Sequence, residues 1–251
     1  MFGYESVAMN RRQETNFFED LEELRRRLIV SLLSVILLGV ASFFFSDFLI
    51  AIITAPIKTS IQVLYFHSPY EAFMVKLNIS LVSGIVLSVP VIFTQLWRFV
   101  SPGLYTKEQR TILPLIFVST ILFVLGALFA YFLVIPFAFK FFMDFQTLTL
   151  VPLISIGSYI SLFLSLILVF GLVFDLPVVL LGLISLGVVQ TSFLSHQRKI
   201  VIVLIFIVAA ILTPTVDILT QCLLALALWL LFEVSVWIGK ALEKRRTGVD
   251  T

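Results

Sequence analysis

Two long runs of uncharged, mostly apolar residues, 28–45 and 77–97, constrain this chain more than any other feature. A helix rises about 1.5 Å per residue, so about 20 apolar residues cross the roughly 30 Å of hydrocarbon in a bilayer. The composition agrees, because 60% of the 251 residues are hydrophobic and only 13% are charged. A water-soluble domain with this composition would lack a polar surface. The sequence therefore predicts an all-α integral membrane protein.

Four further apolar segments bring the predicted number of transmembrane helices to six: residues 111–139, 159–186, 200–212 and 218–238. The fifth span would form only about 20 Å of helix, and the sixth meets Glu233 before it ends. We therefore predict short fifth and sixth helices at a thinned corner of the bundle. Four prolines, interpreted as kink or helix-end residues, would give the bundle a cupped shape: Pro90, Pro114, Pro136 and Pro177.

Basic residues are divided unevenly between the two predicted sides of the membrane. Only Lys58, Lys76 and Lys140 fall on one side, and the other fourteen Lys and Arg residues fall on the side of both termini. The positive-inside rule then places both termini in the cytoplasm, with the loops around 46–72, 140–158 and 213–217 outside. The predicted organisation is a cytoplasmic tail (1–27), one six-span membrane domain (28–239) and a second cytoplasmic tail (240–251).

The N-terminal tail contains a predicted amphipathic helix that lies on the membrane and runs into the first span. Asn16 is its candidate N-cap, and apolar residues recur at helical spacing after it: Phe17, Leu21, Leu24 and Leu28. Its acids have two interpretations. Glu22 with Arg26, and Glu23 with Arg27, form ordinary surface pairs four residues apart. Alternatively, one carboxylate is held ready for the guanidinium of a partner, which an arginine fork binds better than a lysine does.

Residues 97–110 form a second distinctive segment, the loop after the second span. Pro102 and Gly103 break the chain there, and Glu108 stands between Lys107 and Arg110. The simplest interpretation is a tight cap over the bundle. Exposed aromatic residues beside a rim of mixed charge are also typical of a peptide-docking surface.

Asp175 is an acid deep in the predicted fourth span, two residues before Pro177. A carboxylate at that depth costs roughly 2.5 to 3.5 kcal/mol on insertion scales, so it should face protein or water. Asp175 therefore has two interpretations. It forms a hydrogen bond to a neighbouring helix and stabilises the bundle, or it takes part in the protein's function. Near the chain's other end, Thr213 and Pro214 break the fifth span and Asp217 is placed to cap the sixth.

Catalytic and metal-binding patterns are missing from the sequence. His67 and His196 fall on opposite predicted sides, and no carboxylate pair, glycine-rich phosphate loop or metal-ligand motif occurs. We therefore expect no enzyme activity, no cofactor and no metal. A secondary transporter would need several converging polar residues at the midplane, where the chain offers little besides Asp175. An intramembrane hydrolase would need a base near Ser161 or Ser165, and none is predicted at that depth.

Several motifs, in order along the chain, together resemble the TatC family, the multispanning core of the twin-arginine protein translocase. They are Leu21-Glu-Glu-Leu-Arg-Arg-Arg-Leu28, Pro90-Val-Ile-Phe-Thr-Gln-Leu-Trp-Arg-Phe99, Pro102, Leu104-Tyr105, Glu108-Gln-Arg110, Phe170-Gly-Leu-Val-Phe-Asp-Leu-Pro177, Thr213-Pro214, Asp217 and Gln221. The similarity runs from about residue 17 to about residue 240. As a set the motifs are specific, whereas the Leu-Arg-Arg-Arg run alone would not be.

The resemblance implies a receptor for the twin-arginine signal peptides of folded cargo. It implies single-span TatA- and TatB-type partners, self-association and a passage driven by the proton motive force. A nucleic-acid partner is not expected, because the formal net charge is only +2 and the charged residues are dispersed. Two adjacent guanidiniums need more than one acceptor, and Glu23 and Glu108 are the matching acids. The family's other signal-peptide contacts map to six residues: Arg25, Phe99, Pro102, Leu104, Tyr105 and Arg110.

The resemblance also implies partner-docking and outer-cap positions. Asp175, Thr213 and Gln221 match positions for partner docking, and Pro56 and Asp217 match positions that shape the outer cap. Two residues depart from the family pattern, Asp175 where Glu is usual and Asp20 where His is usual. The expected location is the bacterial cytoplasmic (inner) membrane, with a thylakoid or other organellar membrane as the alternative.

Overall fold

The chain folds into a bundle of α-helices, seen in a computed structural model that describes residues 2–57, 64–100, 112–145, 153–185, 189, 191–213 and 217–247. Ten helices lie in these ranges: α1 (Phe2–Phe44), α2 (Ser46–Thr54), α3 (Glu71–Val100), α4 (Ile112–Phe129), α5 (Ile135–Met143), α6 (Ile156–Phe174), α7 (Leu176–Ser185), α8 (Thr191–His196), α9 (Arg198–Leu212) and α10 (Ile218–Thr247). A 3₁₀ turn (Ala55–Ile57) follows α2, and a π turn (Ala130–Val134) joins α4 to α5. No strand occurs in these ranges, so the predicted all-α class is confirmed.

Five described segments are long and apolar enough to cross a membrane: Leu21–Phe44, Glu71–Phe99, Leu113–Met143, Ile156–Ile184 and Ile218–Ala241. They correspond to the predicted spans one, two, three, four and six, with differences of one or two residues where a predicted span extends beyond the observed segment. The predicted fifth span corresponds to α9, whose fifteen residues form about 22 Å of helix. The short fifth helix expected from the sequence is therefore present.

The sixth helix is not short, which corrects the prediction. α10 has 30 residues and extends beyond Ile238, where the predicted span ends, to Thr247. Glu233 does not end the apolar segment, because its carboxylate is bound by Arg198 at 2.7 Å and by the Trp237 indole at 3.1 Å. A paired acid costs less to hold beside a lipid phase than an isolated one.

The tail and the first span form one continuous helix, as expected, but this helix begins at Phe2 and not at Asn16. The predicted cap at Asn16 is therefore wrong. Residues 2–15 contain no proline and are rich in good helix formers such as Glu, Ala, Met, Arg and Gln, so nothing stops the helix there. Both predicted tail boundaries, at 27 and at 240, consequently fall inside helices.

Helix irregularities occur beside two of the four prolines that the sequence indicated, Pro136 and Pro177. The helix break at Asp175, between α6 and α7, lies just before Pro177, which cannot donate to the carbonyl one turn earlier. The π turn Ala130–Val134 immediately precedes Pro136, which likewise has no backbone N–H to donate to a carbonyl one turn earlier. Pro90, by contrast, lies inside the unbroken helix α3.

α1 and α3 pack against each other in opposite directions, and their closest approach is at two glycines. A Cβ added to Gly84 would lie 2.7 Å from the Gly39 Cα, so a larger residue at position 84 has no room at this crossing. Small residues at a helix crossing allow this close approach in a bilayer. The face of α1 that packs on α3 is built from residues spaced three or four apart: Arg27, Ser31, Val35, Gly39 and Ser42.

The bundle has two ends, which position the candidate sites. We call the end with Arg27 of α1 and Phe99 of α3 the proximal end, and the end with α2 and residues 64–71 the distal end. At the distal end Tyr65 exchanges backbone hydrogen bonds with Ile154 (3.1 Å) and Ile156 (3.0 Å). The segments on either side of α3, α4 and α5 are thereby joined, consistent with their predicted location on one side.

Candidate functional site

The proximal end brings Glu23 and Phe99 to the same level. Glu23 precedes Gly39 by sixteen residues on α1, and Phe99 follows Gly84 by fifteen residues on α3. At about 1.5 Å per residue these separations are about 24 Å and 22 Å. Because the two helices are antiparallel and meet at the glycines, both residues lie at about the same distance from the crossing, on the same side of it.

Glu23 is held by Arg27, one helical turn along α1. The Arg27 Nη2 donates to Glu23 Oε1, forming the predicted ion pair between residues four apart. The Arg27 Nη1 also donates to the backbone carbonyl of Gln95 on α3, at 3.2 Å. One guanidinium therefore connects the carboxylate on α1 to the last turns of α3.

Exposure differs sharply within this pair. The Arg27 side chain is 18% exposed, whereas the Glu23 side chain is 40% exposed. The arginine is covered by the packing of the two helices, and the carboxylate faces outward. Arg25, on another face of α1, is exposed.

The last turns of α3 are fixed against α4. The Trp97 side chain is 9% exposed, and its indole Nε1 donates to the Ser119 hydroxyl at 3.3 Å. Phe99 follows and is half-buried. The other five residues predicted for this site lie outside the described residues: Pro102, Leu104, Tyr105, Glu108 and Arg110.

Asp175 lies between α6 and α7 and is 6% exposed, so it faces protein, as expected from its cost in lipid. Neither of its carboxylate oxygens has a hydrogen-bond partner among the described residues. Its backbone is well satisfied, because its carbonyl accepts from Val178 N at 3.0 Å and Val179 N at 3.2 Å. A bond to a neighbouring helix, one of the two interpretations of Asp175, is therefore not found among the described residues, and the carboxylate is available to a group that reaches it.

The turn between α9 and α10 shows the expected capping chemistry. Asp217 accepts a hydrogen bond from the Thr220 backbone N–H at 2.7 Å, at the start of α10. Thr213 follows α9 directly and donates its backbone N–H to Ala209 at 2.9 Å. Gln221 donates across to the Phe206 carbonyl at 3.4 Å, which connects α10 to α9. These contacts support the structural interpretation of the turn.

At the distal end, Pro56 lies in the 3₁₀ turn Ala55–Ile57 and is half-buried. Nearby, Glu71 connects two helices through hydrogen bonds that sequence analysis missed. Its carboxylate accepts from the His67 backbone N–H at 2.5 Å and the Gly157 backbone N–H at 2.8 Å, joining the start of α3 to the start of α6. The sequence Ser68-Pro-Tyr-Glu71 before an apolar run is the signal that could have indicated an N-terminal acid of this kind.

The described residues offer no group of three or more His, Cys, Asp or Glu side chains that could hold a metal ion. A cavity of about 600 Å³ lies among α1, α2, α3, α4 and α6, and the polar side chains in its lining are Ser42, Ser83 and Tyr131. No charged side chain lines it, so it gives a charged solute no counter-charge. This lining does not favour the solute-transporter alternative.

Known proteins resemble this chain over most of its length. The family profile described as "Sec-independent protein translocase protein (TatC)" matches residues 19–226. The "Sec-independent protein translocase protein TatC" of Magnetococcus marinus is 40% identical over 237 residues, which cover 93% of this chain and 87% of that protein. The protein of the same name from Aquifex aeolicus is 40% identical over 236 residues, covering 92% and 98%.

A solved structure gives the same result. A crystal structure described as "Twin Arginine Translocase Receptor- TatC" superposes with a TM-score of 0.78 at 41% sequence identity, covering 88% of this chain and 98% of the other. The agreement therefore extends from local motifs to the arrangement of the helices.

Proposed function

This chain belongs to the TatC family of Sec-independent protein translocase proteins, and from that premise we propose that it is the receptor for twin-arginine signal peptides of folded cargo. The family is one of non-enzymatic protein-transport components. The observation that carries the proposal is the proximal end, where an outward-facing carboxylate, Glu23, stands level with the aromatic end of α3 at Phe99.

Recognition would use guanidinium geometry as well as charge. The planar fork of arginine donates two parallel hydrogen bonds to a carboxylate, whereas a lysine ammonium offers a point charge. Two adjacent arginines need two acceptors, and we assign Glu23 and Glu108 to them. The flanking parts of the signal peptide would contact the rest of the proposed site: Arg25, Phe99, Pro102, Leu104, Tyr105 and Arg110.

We place the proximal end in the cytoplasm and count α9 as a span, which gives six spans in a cupped bundle with both termini inside. Fourteen of seventeen basic residues support this orientation. The short α9 would cross where the bilayer is thinned or where α9 is recessed beside α10. The cytoplasmic tails would then be 1–27 and 240–251, and the membrane the bacterial inner membrane.

Partner recruitment would use polar groups within the bilayer. Asp175, with two unpartnered oxygens, is suited to bind a polar group of a single-span TatA- or TatB-type subunit. We assign Thr213 and Gln221 to the same docking role, and Pro56 and Asp217 to the shape of the outer cap. The assembled complex, with more than one copy of this chain, would use the proton motive force to pass folded cargo.

The test is binding of a fluorescent signal peptide to the purified chain in nanodiscs, with an Arg-Arg and a Lys-Lys version compared. We expect the Arg-Arg peptide to bind at least about tenfold more tightly, and Glu23→Ala or Glu108→Ala to remove that preference. Asp144→Ala, an exposed acid near the distal end, is the matched control and should leave the preference intact. Equal binding of both peptides to the wild type would refute the proposal.

A further inference from the structure

Arg27 connects α1 and α3, the two helices that carry Glu23 and Phe99 of the proposed peptide site. It binds the carboxylate of Glu23 with one terminal nitrogen and the Gln95 carbonyl of α3 with the other. We propose that Arg27 is a positioning residue that holds Glu23 at a fixed place relative to α3 and so sets both affinity and the preference for arginine. This inference rests on the proposed function of the proximal end.

The two bonds of Arg27 restrain Glu23 in a way that a simple surface pair would not. A glutamate side chain on an exposed helix surface samples many rotamers, and fixing one of them costs free energy when a ligand binds. Arg27 is itself fixed, because its side chain is only 18% exposed and is hydrogen-bonded to a neighbouring helix. The carboxylate is therefore restrained before the peptide arrives.

The geometry also leaves room for the ligand. Arg27 occupies Oε1 of Glu23, and the hydrogen bond described for this carboxylate does not involve Oε2. The side chain of Glu23 remains 40% exposed. A carboxylate has about four lone-pair sites, so it can hold Arg27 and still accept a second guanidinium.

Arginine suits this position better than lysine for a geometric reason. The two acceptors of Arg27 lie on different helices, and the rigid fork presents separate nitrogens to each of them. A lysine would keep the charge but present one flexible ammonium, so it would hold Glu23 less firmly. The adjacent Arg26 is exposed, and no described contact joins it to α3.

The experiment is a double-mutant cycle on the full chain in nanodiscs, using fluorescent Arg-Arg and Lys-Lys signal peptides as probes. Arg27→Gln should weaken Arg-Arg binding by about tenfold and reduce the preference over Lys-Lys. Arg26→Gln removes the same charge from the same turn and should change binding by less than about threefold. In the Glu23→Ala background, Arg27→Gln should have no further effect, because its target is gone.

A purely structural role for Arg27 would weaken binding equally with and without Glu23, and that result would overturn the inference. Tighter binding by Arg27→Gln would also overturn it, since Arg27 would then be a competitor of the peptide. If Arg27→Gln does not fold, Arg27→Lys replaces it, with an expected loss of about threefold that again disappears in Glu23→Ala. A wild type that binds both peptides alike contradicts the proposed function itself, whereas a selective wild type with an additive cycle contradicts only the role of Arg27.

Discussion

At the scale of single residues, the burial of Asp175 opposes stability, and its proposed function gives a reason for this cost. A buried polar group without a partner destabilises the folded state, by about 1 to 3 kcal/mol in mutational data. Asp175 is 6% exposed and both its oxygens are unpartnered in the described part of the chain. The proposed role in partner docking would supply the missing hydrogen-bond partner.

Replacing Asp175 by Leu should therefore stabilise the isolated chain while weakening the complex. We expect thermal unfolding in detergent to shift upward by a few degrees, because an unpartnered polar group is replaced by an apolar one of similar size. Copurification of TatA- or TatB-type subunits should fall at the same time. Thr120→Val, which removes an already bonded hydroxyl from α4, is the control and should not affect copurification. A less stable Asp175→Leu variant would mean that the carboxylate is bonded in the isolated chain.

Replacing Glu71 should instead destabilise the chain, since both of its carboxylate oxygens accept hydrogen bonds. Glu71→Gln replaces one acceptor oxygen by an N–H donor that faces a backbone donor, from either His67 or Gly157. We expect the apparent Tm in detergent to fall by a few degrees. Asp144→Asn, an exposed acid at the same end, should leave Tm unchanged. An equal Tm for wild type and Glu71→Gln would show that the hydrogen bonds of Glu71 contribute nothing to stability.

At the scale of elements, the crossing of α1 and α3 connects packing to recognition. Gly84→Ala would place a methyl group 2.7 Å from the Gly39 Cα, and backbone cannot move aside as a side chain can. We expect a destabilisation of about 1 to 3 kcal/mol. Because α1 carries Glu23 and α3 carries Phe99, the signal peptide should also bind less tightly.

Gly39→Ala is the matched control for this prediction. The nearest atom to its added Cβ is the Ser80 carbonyl oxygen at 3.4 Å, so a small adjustment accommodates it. Thermal unfolding and peptide titration of both variants measure the difference. If Gly84→Ala matches Gly39→Ala in both measurements, the contact of the two glycines does not set the geometry of the proximal end.

Local sequence signals predicted the helices well and their ends less well. The apolar runs identified α1, α3, α4 and α6, and Pro177 indicated the break beside Asp175. The start of α1 was misplaced because an N-cap residue such as Asn16 marks a helix start only where no helix-forming residues precede it. The end of α10 was misplaced because Glu233 looked unpaired in sequence, whereas its partner Arg198 is 35 residues away.

Contacts between residues far apart in sequence also limited the prediction of the candidate site. Glu23 was predicted because its motif and its pairing with Arg27 are local, four residues apart. The contact of Arg27 with Gln95 spans 68 residues, and that of Glu71 with Gly157 spans 86. Contacts of this kind depend on which helices pack together, which periodicity within one segment does not determine. Sequence therefore indicated the pair of Glu23 and Arg27 but not the second hydrogen bond of Arg27, to Gln95 on α3.

At the scale of the whole molecule, the number of spans depends on α9. Among the described residues, five segments are long enough to cross the membrane on their own, and an odd number of spans would put the termini on opposite sides. α9 packs beside α10 and is joined to it by Gln221, so the two helices form a hairpin. A hairpin that spans the membrane puts the turn at Thr213 on the opposite side from His196 and Lys244.

Single cysteines in a Cys222→Ala background test this arrangement. We expect an impermeant maleimide to label Thr213→Cys and Tyr70→Cys from the outside of intact cells, and His196→Cys and Lys244→Cys only in inverted vesicles. Tyr70, His196 and Lys244 are exposed, and Thr213 lies in the turn after α9, so the reagent can reach all four positions once it is on the correct side. If Thr213→Cys and Lys244→Cys are labelled from opposite sides, α10 crosses the membrane. If His196→Cys and Thr213→Cys are labelled from the same side, α9 does not cross it. That last result would leave five spans, and the N-terminal and C-terminal tails would lie on different sides of the membrane.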